Sequence, residues 1–467
     1  MRGSGPAPGL RATGGAPGLS VSPLRVAVCR SGLPPLPAEN TISSTRSLPI
    51  SLPPSESADA FAREVIPILR RALAERGDDP ALHSDLGVAY RRIGRQAEAI
   101  ACFRQAERLD PRNPIWRLHT ANALVEHGAM GEGIQQLRRL LDDDPAHPQA
   151  HWQLAYALLL QGRFAEAWPE FAWRWRCPGF PSRRLSTLQP SWDGRRPCRR
   201  LLLWGEQGLG DEVMLTGLIP EARCWLAERG VEVELQVDSR LVSLLRRAWP
   251  DLPIHPWVPG PPPPSCDAHM PLGDLCRHLR PDAASFPARH PPWLRADPAR
   301  VAALAEGLPR GGTLRLGLSW RSEAAVLGTR KSIPLAALAQ ALARPGLELV
   351  CLQYGPVEAE LAALRRRTGI AVRTPQGLDR RDDLEGLAAL IESCDHVITI
   401  SNATAHLSGA LGRPTWLLLH QVPYWPWQLS GDSSLWYGTQ RLLRQEHPGD
   451  WRQPLRALRD ALETARL

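Results

Sequence analysis

The chain has 467 residues, too many for one hydrophobic core, and roughly 150 residues per domain predicts about three folded units. No uninterrupted apolar stretch reaches the roughly 18 residues of a membrane span, so we expect a cytoplasmic protein without a transmembrane segment. The formal net charge is +8, but arginines are interleaved with acids along the chain. This pattern argues against a nucleic-acid-binding block and is compatible with a diphosphate-bearing substrate.

The nine cysteines include no CxxC pair and no Cys/His spacing typical of a zinc site. We therefore expect neither a disulfide framework nor a bound metal. Residues 1–58 are rich in Pro, Gly and Ser, with no acidic residue before Glu39. Because such a composition buries too little apolar surface to offset the entropy of ordering the chain, we predict a disordered tail.

Residues 61–178 repeat with a step of 34 residues, which is typical of tetratricopeptide repeats. Small residues such as Gly87 let paired helices approach closely, and Phe103 fills the gap between them. Residues 61–77 resemble an incomplete leading repeat. The array either offers a groove to a protein partner or braces the next domain. The residues that return at the step are Pro80, Pro114 and Pro148; Gly94, Gly128 and Gly162; Ala89, Ala123 and Ala157; and Phe103, Leu137 and Phe171.

A connector rich in Trp and Pro, residues 179–198, follows a cluster of tryptophans at the end of the array. Aromatic residues at such a junction more often pack an array onto its neighbour than bind a ligand.

From residue 199 onward, short apolar strands alternate with amphipathic helices, which predicts parallel sheets. Prolines near 261–264 and 281–292 interrupt the series. We therefore predict two Rossmann-like lobes, residues 199–296 and 297–467. The expected strands are Leu201–Trp204, Val231–Val237, Leu314–Trp320, Leu347–Gln353, His396–Ile400 and Thr415–Leu419.

The first candidate site is the run Gly205–Asp211, GEQGLGD, between a strand and the helix that begins near Glu212. Glycines let a ligand approach the backbone, and a helix N-terminus favours negative charge. The run is not a Walker loop, because no Gly-Lys-Ser/Thr follows, and its glycine order is the reverse of the dinucleotide fingerprint. A plain tight turn is the alternative interpretation.

The second candidate site is a polar loop that leads from Ser319 and Trp320 to Arg330, Lys331 and Ser332. Ammonium and guanidinium groups neutralise the charge that grows on a diphosphate leaving group. Lys331 is the only lysine of the chain. A solvated loop with chance basic residues is the alternative.

The third candidate site is the turn Ser401–His406, SNATAH, between a strand and a short helix that ends at Gly412. Ser401 or Asn402 can cap this helix and leave its first N–H groups for an anion. An ordinary capped helix is the alternative, and His406 by itself is more often a packed histidine than a catalytic one.

Together these segments resemble glycosyltransferase family 9, the heptosyltransferase type, in the variant fused to tetratricopeptide repeats. The resemblance covers residues 61–455 and implies a GT-B architecture of two facing lobes, with the acceptor on the first and the nucleotide-sugar on the second. It also implies an inverting transfer that needs no cofactor or metal beyond the nucleotide-sugar donor. Further family-like stretches are Trp173–Arg176, Pro190–Gly194, Pro271–Leu275, Trp425–Trp427, Trp436–Tyr437 and Pro448–Trp451.

By this resemblance, Asp211 is the general base, and Arg330 or Lys331 holds the donor diphosphate, next to Ser332. The phosphate-facing turn is Ser401, Asn402, Ala403 and Thr404, where heptosyltransferases of the family carry Asp-Thr in place of Ser401-Asn402. This departure leaves the donor sugar open, and the acceptor can be a glycan, a lipid-linked saccharide or a protein. The other expected substrate contacts in the cleft are Gln207, Gly208, Gly210, Trp320, Gln353 and His406.

Two other classes of function remain as alternatives. A non-catalytic interaction protein with a degenerate transferase domain is favoured by the Ser401-Asn402 departure. A dinucleotide oxidoreductase would place Asp238 against a ribose, but the reversed glycine order argues against it, and we expect Asp238 to cap the helix that begins at Ser239.

Overall fold

The computed structural model describes residues 58–258, 266–306, 313–324 and 328–464. The tail predicted to be disordered lies outside the described residues up to residue 57. Among the described residues, no helix has the length and apolar character needed to cross a bilayer.

Seven helices form the N-terminal array, and they pack in sequence order as antiparallel pairs. Proline is the first residue of every second helix, where its missing N–H costs nothing. Glycines with positive φ, such as Gly94 at +80° and Gly128 at +92°, make the sharp turn inside each pair. The helices are α1 (Ala58–Arg76), α2 (Pro80–Arg92), α3 (Gln96–Leu109), α4 (Pro114–His127), α5 (Met130–Asp143), α6 (Pro148–Leu160) and α7 (Phe164–Phe171).

The close approach inside a repeat depends on Gly87. A Cβ at this position would lie 2.6 Å from Cε1 of Phe103, and the Phe103 ring is fully buried. The corresponding residues of the next repeats, Ala121 and Ala155, are also fully buried. The packing role predicted for the small residues is therefore confirmed.

The first lobe is a four-stranded parallel sheet in the order β3-β2-β1-β4. Helices cover it, as parallel sheets require. Asp238 accepts a hydrogen bond from the backbone N of Arg240 at 3.0 Å, so it caps the following turn as expected. The elements are β1 (Arg200–Trp204), α8 (Leu209–Thr216), α9 (Ile219–Ala227), β2 (Glu232–Val237), α10 (Val242–Ala248), β3 (Ile254–Pro256), β4 (Ala268–Pro271) and α11 (Cys276–Leu279).

The second lobe is a five-stranded parallel sheet in the order β6-β5-β7-β8-β9. Its elements are α12 (Pro298–Glu306), β5 (Leu314–Ser319), α13 (Gly328–Lys331), α14 (Leu335–Leu342), β6 (Leu347–Cys351), α15 (Glu358–Thr368), α16 (Leu384–Glu392), β7 (His396–Ile400), α17 (Ala403–Ala410), β8 (Thr415–Leu419), β9 (Gln440–Arg444) and α18 (Arg452–Thr464).

The predicted fold class, a helical array followed by two Rossmann-like lobes, is confirmed, and the six expected strands are present with ends shifted by at most two residues. The sequence patterns missed β3, β4 and β9. Strands β3 and β4 have only three and four residues, and each ends in proline. Strand β9 is an edge strand with a polar residue at its start and an arginine at its end. Strands this short or this polar lack a recognisable hydrophobic period.

The array and the lobes share one hydrophobic core. Buried residues of α4 to α7 belong to the same cluster as the first lobe and the inner side of the second, whereas α1 to α3 and one face of α4 form a smaller cluster. Trp168 in α7 donates to the carbonyl of Arg280 at 2.6 Å and contacts Trp425 edge-on. The tryptophans at the junction therefore pack the array onto its neighbour, as expected.

Candidate active site

The candidate site begins at the turn between β1 and α8. Gln207 has a φ of +64°, a left-handed conformation that costs a non-glycine residue roughly 1–2 kcal/mol. Its backbone N donates to Oγ of Ser182 at 2.8 Å. Gly208 then begins the helix, and its N–H donates to Oδ2 of Asp211 at 3.2 Å. This strained turn fixes the Asp211 carboxylate in the first turn of α8, where the helix dipole favours negative charge.

A buried network of ion pairs holds the turn between β1 and α8 in place. The fully buried Arg174 donates from Nε and Nη2 to the two carboxylate oxygens of Glu206, at 2.8 and 2.7 Å, and also pairs with Asp274 at 2.7 Å. Glu206 also accepts from the backbone N of Gly273 at 2.8 Å. The family-like stretches Trp173–Arg176 and Pro271–Leu275 therefore have a structural role. Their residues join the end of the array to Glu206, which directly precedes the strained Gln207.

Tyr424 completes the surroundings of Asp211. Its hydroxyl donates to Oδ1 of Asp211 at 2.7 Å and lies 3.3 Å from Oε1 of Gln207. Burial raises the pKa of the Asp211 carboxyl to about 6, although the Tyr424 hydroxyl acts to lower it. The carboxylate is therefore mostly ionised at neutral pH yet more basic than an exposed aspartate, as a general base requires.

The second lobe meets the first at α17, which packs against α8. A Cβ on Gly210 would lie 2.8 Å from Cδ2 of His406 and 3.5 Å from Cα of Ala403, so the absence of a side chain at Gly210 permits this approach. His406 is buried, its Nδ1 lies 2.9 Å from the hydroxyl of Tyr437, and its ring stacks on Trp427. Burial lowers the pKa of His406 to about 3, with Lys331 adding to the effect, so this histidine is neutral and packed between the lobes.

Lys331, at the end of α13, is the cation of this site. Burial lowers the pKa of its ammonium to about 8, and the Asp211 carboxylate limits that fall. Burial lowers the pKa of His420 to about 3, and the charges of Lys331 and Arg330 add to the effect. Within the described part of the chain, Lys331 has no ion pair within 4.0 Å. The site thus holds a half-buried ammonium and a half-buried carboxylate that influence each other across the two lobes.

Two comparisons of the sequence with known proteins bear on this architecture. Family models described as tetratricopeptide repeats match residues 80–113 and 118–174, which confirms the predicted array. Protein FlbA of Caulobacter vibrioides is 30% identical over 421 residues, covering 85% of this chain and 70% of FlbA.

The chain belongs to the FlbA family. Two solved structures are similar to 57% of the chain. One is a glycosyl transferase of family 9 from Veillonella parvula, with 12% identity, 96% of that chain covered and a TM-score of 0.41. The other is ADP-heptose lps heptosyltransferase II of E. coli, with 13% identity, 100% of that chain covered and a TM-score of 0.39.

Arg330, predicted to hold a diphosphate, has a different partner in this member of the FlbA family. Its Nη1 pairs with Glu126 of α4 at 3.2 Å, and its Nη2 donates to the carbonyl of Arg91. Arg91 pairs with the same carboxylate at 3.1 Å. Arg330 therefore joins the second lobe to the array, whereas Lys331 has no ion pair among the described residues. The assignment of Arg330 as a diphosphate ligand stays a prediction.

Three other predicted contacts are engaged within the second lobe. The Gln353 side chain accepts from the backbone N of Trp320 and Arg321 at 3.0 and 2.8 Å and donates to the carbonyls of Arg321 and Tyr354. The buried Trp320 donates from its ring nitrogen to Glu360 at 3.0 Å. The Gln353 side chain therefore joins the ends of β5 and β6, and the Trp320 side chain joins the end of β5 to α15. Their assignment as substrate contacts stays a prediction. Ser332 accepts from the backbone N of Ser322 at 3.0 Å and closes the loop before α14.

The turn before α17 also uses its side chains internally. Ser401 Oγ accepts from the ring nitrogen of Trp427 at 2.9 Å. Asn402 accepts from Thr399 Oγ1 at 3.1 Å and from the backbone N of Ala405 at 3.3 Å, and donates to Ser319 at 2.8 Å. Thr404 Oγ1 is buried without a partner among the described residues. The Ser401 and Asn402 side chains therefore support the turn, and the Thr404 hydroxyl and the backbone N–H groups are left for an anion.

Tyr424 and Tyr156 are the site residues that the sequence did not single out. Tyr156 in α6 donates to the carbonyl of Pro423 at 3.4 Å, and its ring lies 6.3 Å from that of Tyr424. Tyr424 directly precedes the family-like stretch Trp425–Trp427, which was a usable signal. Tyr156 lies in the array, where no motif pointed to the site. Among the described residues, no group of three His, Cys, Asp or Glu side chains could hold a metal ion.

Proposed function

We propose that this chain is a glycosyltransferase that moves a sugar from a nucleotide-diphosphate sugar to an acceptor hydroxyl, with inversion and without a metal ion. The observation that carries the proposal is the Asp211 carboxylate, with its pKa raised to about 6, near the lone ammonium of Lys331 at the junction of two Rossmann-like lobes. Perturbed ionisable groups of opposite sign in a cleft are typical of a catalytic site.

In the proposed reaction, the acceptor hydroxyl attacks the anomeric carbon while its proton passes to Oδ2 or Oδ1 of Asp211. The bond between the anomeric carbon and the diphosphate oxygen breaks, and its electron pair goes to the nucleoside diphosphate. Lys331 stabilises the charge that develops there, which is the role a divalent cation has in metal-dependent transferases. Attack opposite the leaving group inverts the anomeric centre.

The array supports a protein as the acceptor. Tyr156 of α6 contacts Tyr424, whose hydroxyl donates to Asp211, so the array lies beside the carboxylate that we propose as the base. Asn122 occupies the position of Tyr156 one repeat earlier and lies one helical turn before Glu126, which pairs with Arg330. Asn122 is buried, and both ends of its amide lack a partner among the described residues. A side-chain amide that both donates and accepts matches the peptide group of a polypeptide.

The non-catalytic alternative is favoured by one observation, the internal use of the Ser401 and Asn402 side chains. A protein that only binds a partner has no need of a free anion site at that turn. The two functions differ in what happens to a nucleotide-sugar.

The test is to incubate the full-length protein with a panel of UDP-, GDP-, ADP-, CMP- and dTDP-linked sugars and to measure release of the nucleotide product, with and without EDTA. We expect one donor to be hydrolysed slowly, at a rate that EDTA does not change and that Asp211→Asn abolishes. Binding of a nucleoside diphosphate without turnover of any donor would favour the interaction protein. Loss of turnover in EDTA would contradict the metal-independent mechanism.

A further inference from the structure

A cavity with a volume of about 590 Å³ lies where the two lobes and the segment between them meet. The C-terminal end of α8 and the start of α9 form one wall, the interlobe segment 286–295 forms the second, and Leu435 with Trp436 of the second lobe forms the third. We call this cavity the linker pocket. Nothing in the proposed reaction uses it.

The linker pocket is strongly basic. Four arginines line it, and Glu221 is the only acidic residue among its lining residues. Arg280 pairs with Glu221 at 2.7 Å, and Arg247 pairs with Glu385 outside the pocket at 2.9 Å. Arg289 and Arg295 are exposed, and within the described parts of the chain neither side chain has an ion pair. Two guanidinium groups are therefore left to bind an anion, for which their planar donor geometry is well suited.

The same pocket is rich in aromatic rings and in hydrogen-bond donors without partners. Trp249, Trp293, Trp436 and Phe286 contribute to its lining. Among the described residues, the ring nitrogens of Trp293 and Trp436 and Nε of Arg280 have no hydrogen-bond partner. All three atoms are buried inside the wall, so the aromatic faces and the exposed guanidinium groups are what the pocket offers to a ligand. Aromatic faces next to a few convergent polar groups are typical of small-molecule sites.

The linker pocket is separate from the candidate active site. Asp211 lies in the first turn of α8, whereas the pocket begins at the other end of that helix, where Gly217 contacts Trp293. Trp293 stacks on Tyr437 with ring centroids 5.6 Å apart, and the Tyr437 hydroxyl lies 2.9 Å from His406. This stacked pair forms a wall between the two sites, so a ligand in the pocket leaves Asp211 and Lys331 accessible.

We propose that the linker pocket binds a saccharide that carries a phosphate or carboxylate group. The guanidinium groups of Arg289 and Arg295 bind the anionic group, and the tryptophan faces contact the sugar ring. Because its walls come from both lobes and the segment between them, an occupant contacts all three and stabilises the arrangement of the lobes.

Calorimetry on the full-length protein tests this inference, with glucose 6-phosphate and glucuronate as probes and with glucose and inorganic phosphate as controls. We expect at least one anionic sugar to bind at least tenfold more tightly than either control. The probe that binds distinguishes a phosphate from a carboxylate ligand. In the double variant Arg289→Ala/Arg295→Ala, affinity for that probe should fall at least tenfold. The matched variant Arg456→Ala/Arg459→Ala, which removes two exposed arginines of α18, should bind as the unmodified protein does.

Several outcomes would overturn the proposal. Equal affinity for glucose would remove the role of the arginines, and equal affinity for inorganic phosphate would remove the role of the rings. Unchanged affinity in Arg289→Ala/Arg295→Ala would place the ligand elsewhere, as would competition between the probe and a nucleoside diphosphate. Because these are binding measurements, they succeed or fail whether or not the protein transfers a sugar.

Discussion

Two turns of this protein have the same local design and different chemistry. The turn before α8 and the turn before α17 each follow a parallel strand, and they meet where the lobes contact each other. In the first, the partners of Asp211 among the described residues are the backbone N of Gly208 and the hydroxyl of Tyr424 from the other lobe. In the second, Ser401 and Asn402 are hydrogen-bonded to their own lobe.

This contrast shows that a polar side chain at a helix N-terminus can bind a ligand or accept a proton only where the fold leaves it incompletely paired. The Asp211 carboxyl has a pKa raised by burial, and its charge interacts with Lys331 across the lobes. The Asn402 side chain has three hydrogen-bond partners within its own lobe, which leave at most one amide N–H for a ligand. Substitutions at the two turns should therefore separate catalysis from stability.

The largest effect is expected from Asp211→Asn. The amide cannot take a proton from the acceptor, so the transfer rate should fall about 10²- to 10⁴-fold, while calorimetry finds nucleoside diphosphate affinity unchanged. Asp251→Asn, at an exposed residue paired with Arg223, is the control and should keep full activity. Near-normal turnover in Asp211→Asn would remove this carboxylate from the mechanism.

Lys331→Ala should have the next largest effect. Loss of a charge-assisted contact worth about 1.5–3 kcal/mol weakens nucleoside diphosphate binding about ten- to hundredfold. Arg330→Ala is the informative comparison, because its guanidinium pairs with Glu126 and its loss should lower thermal stability more than affinity. The assignment of Lys331 fails if calorimetry gives the two variants the reverse pattern.

Tyr424→Phe should change the pH dependence of the reaction. The Tyr424 hydroxyl lowers the pKa of Asp211, so its removal raises that pKa above about 6. Since the base must be deprotonated, activity should be lost as pH falls and the midpoint of that loss should move up by about one pH unit. Tyr90→Phe in the array serves as control. If the pH at which activity is half lost is the same in Tyr424→Phe as in the unmodified protein, the Tyr424 hydroxyl does not control the pKa of Asp211.

The smallest effect on chemistry is expected from Asn402→Ala. Removal of the cap and of the bond to Ser319 should lower the free energy of unfolding by about 1–2 kcal/mol, with nucleotide affinity changed less than twofold. Asn113→Ala, at the half-buried cap of α4, should cost about 1 kcal/mol. A tenfold loss of nucleotide affinity in Asn402→Ala without loss of thermal stability would show that the second turn binds the ligand through its side chain. The proposed difference between the two turns would then be wrong.

The sequence identified the elements whose signal is local and periodic. The 34-residue step, with a proline at the start of every second helix and Gly87 facing Phe103, fixed the array because each repeat contacts mainly its neighbours. Apolar runs likewise located six of the nine strands in the described residues. Short strands such as Ala268–Pro271 were missed, since their pairing depends on the neighbouring β1 and not on their own pattern.

The candidate site was only partly accessible to sequence patterns. Asp211 and Lys331 were identified by motif and by the rarity of lysine, and both lie at the junction of the lobes. Arg330 looked equivalent to its neighbour, but the array provides Glu126 as its partner, and Trp320 and Gln353 are turned into their own lobe. Adjacent residues of a helix, such as Arg330 and Lys331, point in directions about 100° apart. The local sequence does not indicate which of the two side chains will find a partner in another part of the fold.

The amino-acid sequence by itself therefore determined the array and the two parallel sheets, because helical and strand periods are set within a few residues. It also indicated the carboxylate and the ammonium most suited to chemistry, Asp211 and Lys331. Only the tertiary structure decided which polar groups stay incompletely paired. That property depends on contacts between distant segments, such as Tyr424 with Asp211, Arg330 with Glu126 and Tyr156 with Pro423, and each becomes available only once the array and both lobes pack together.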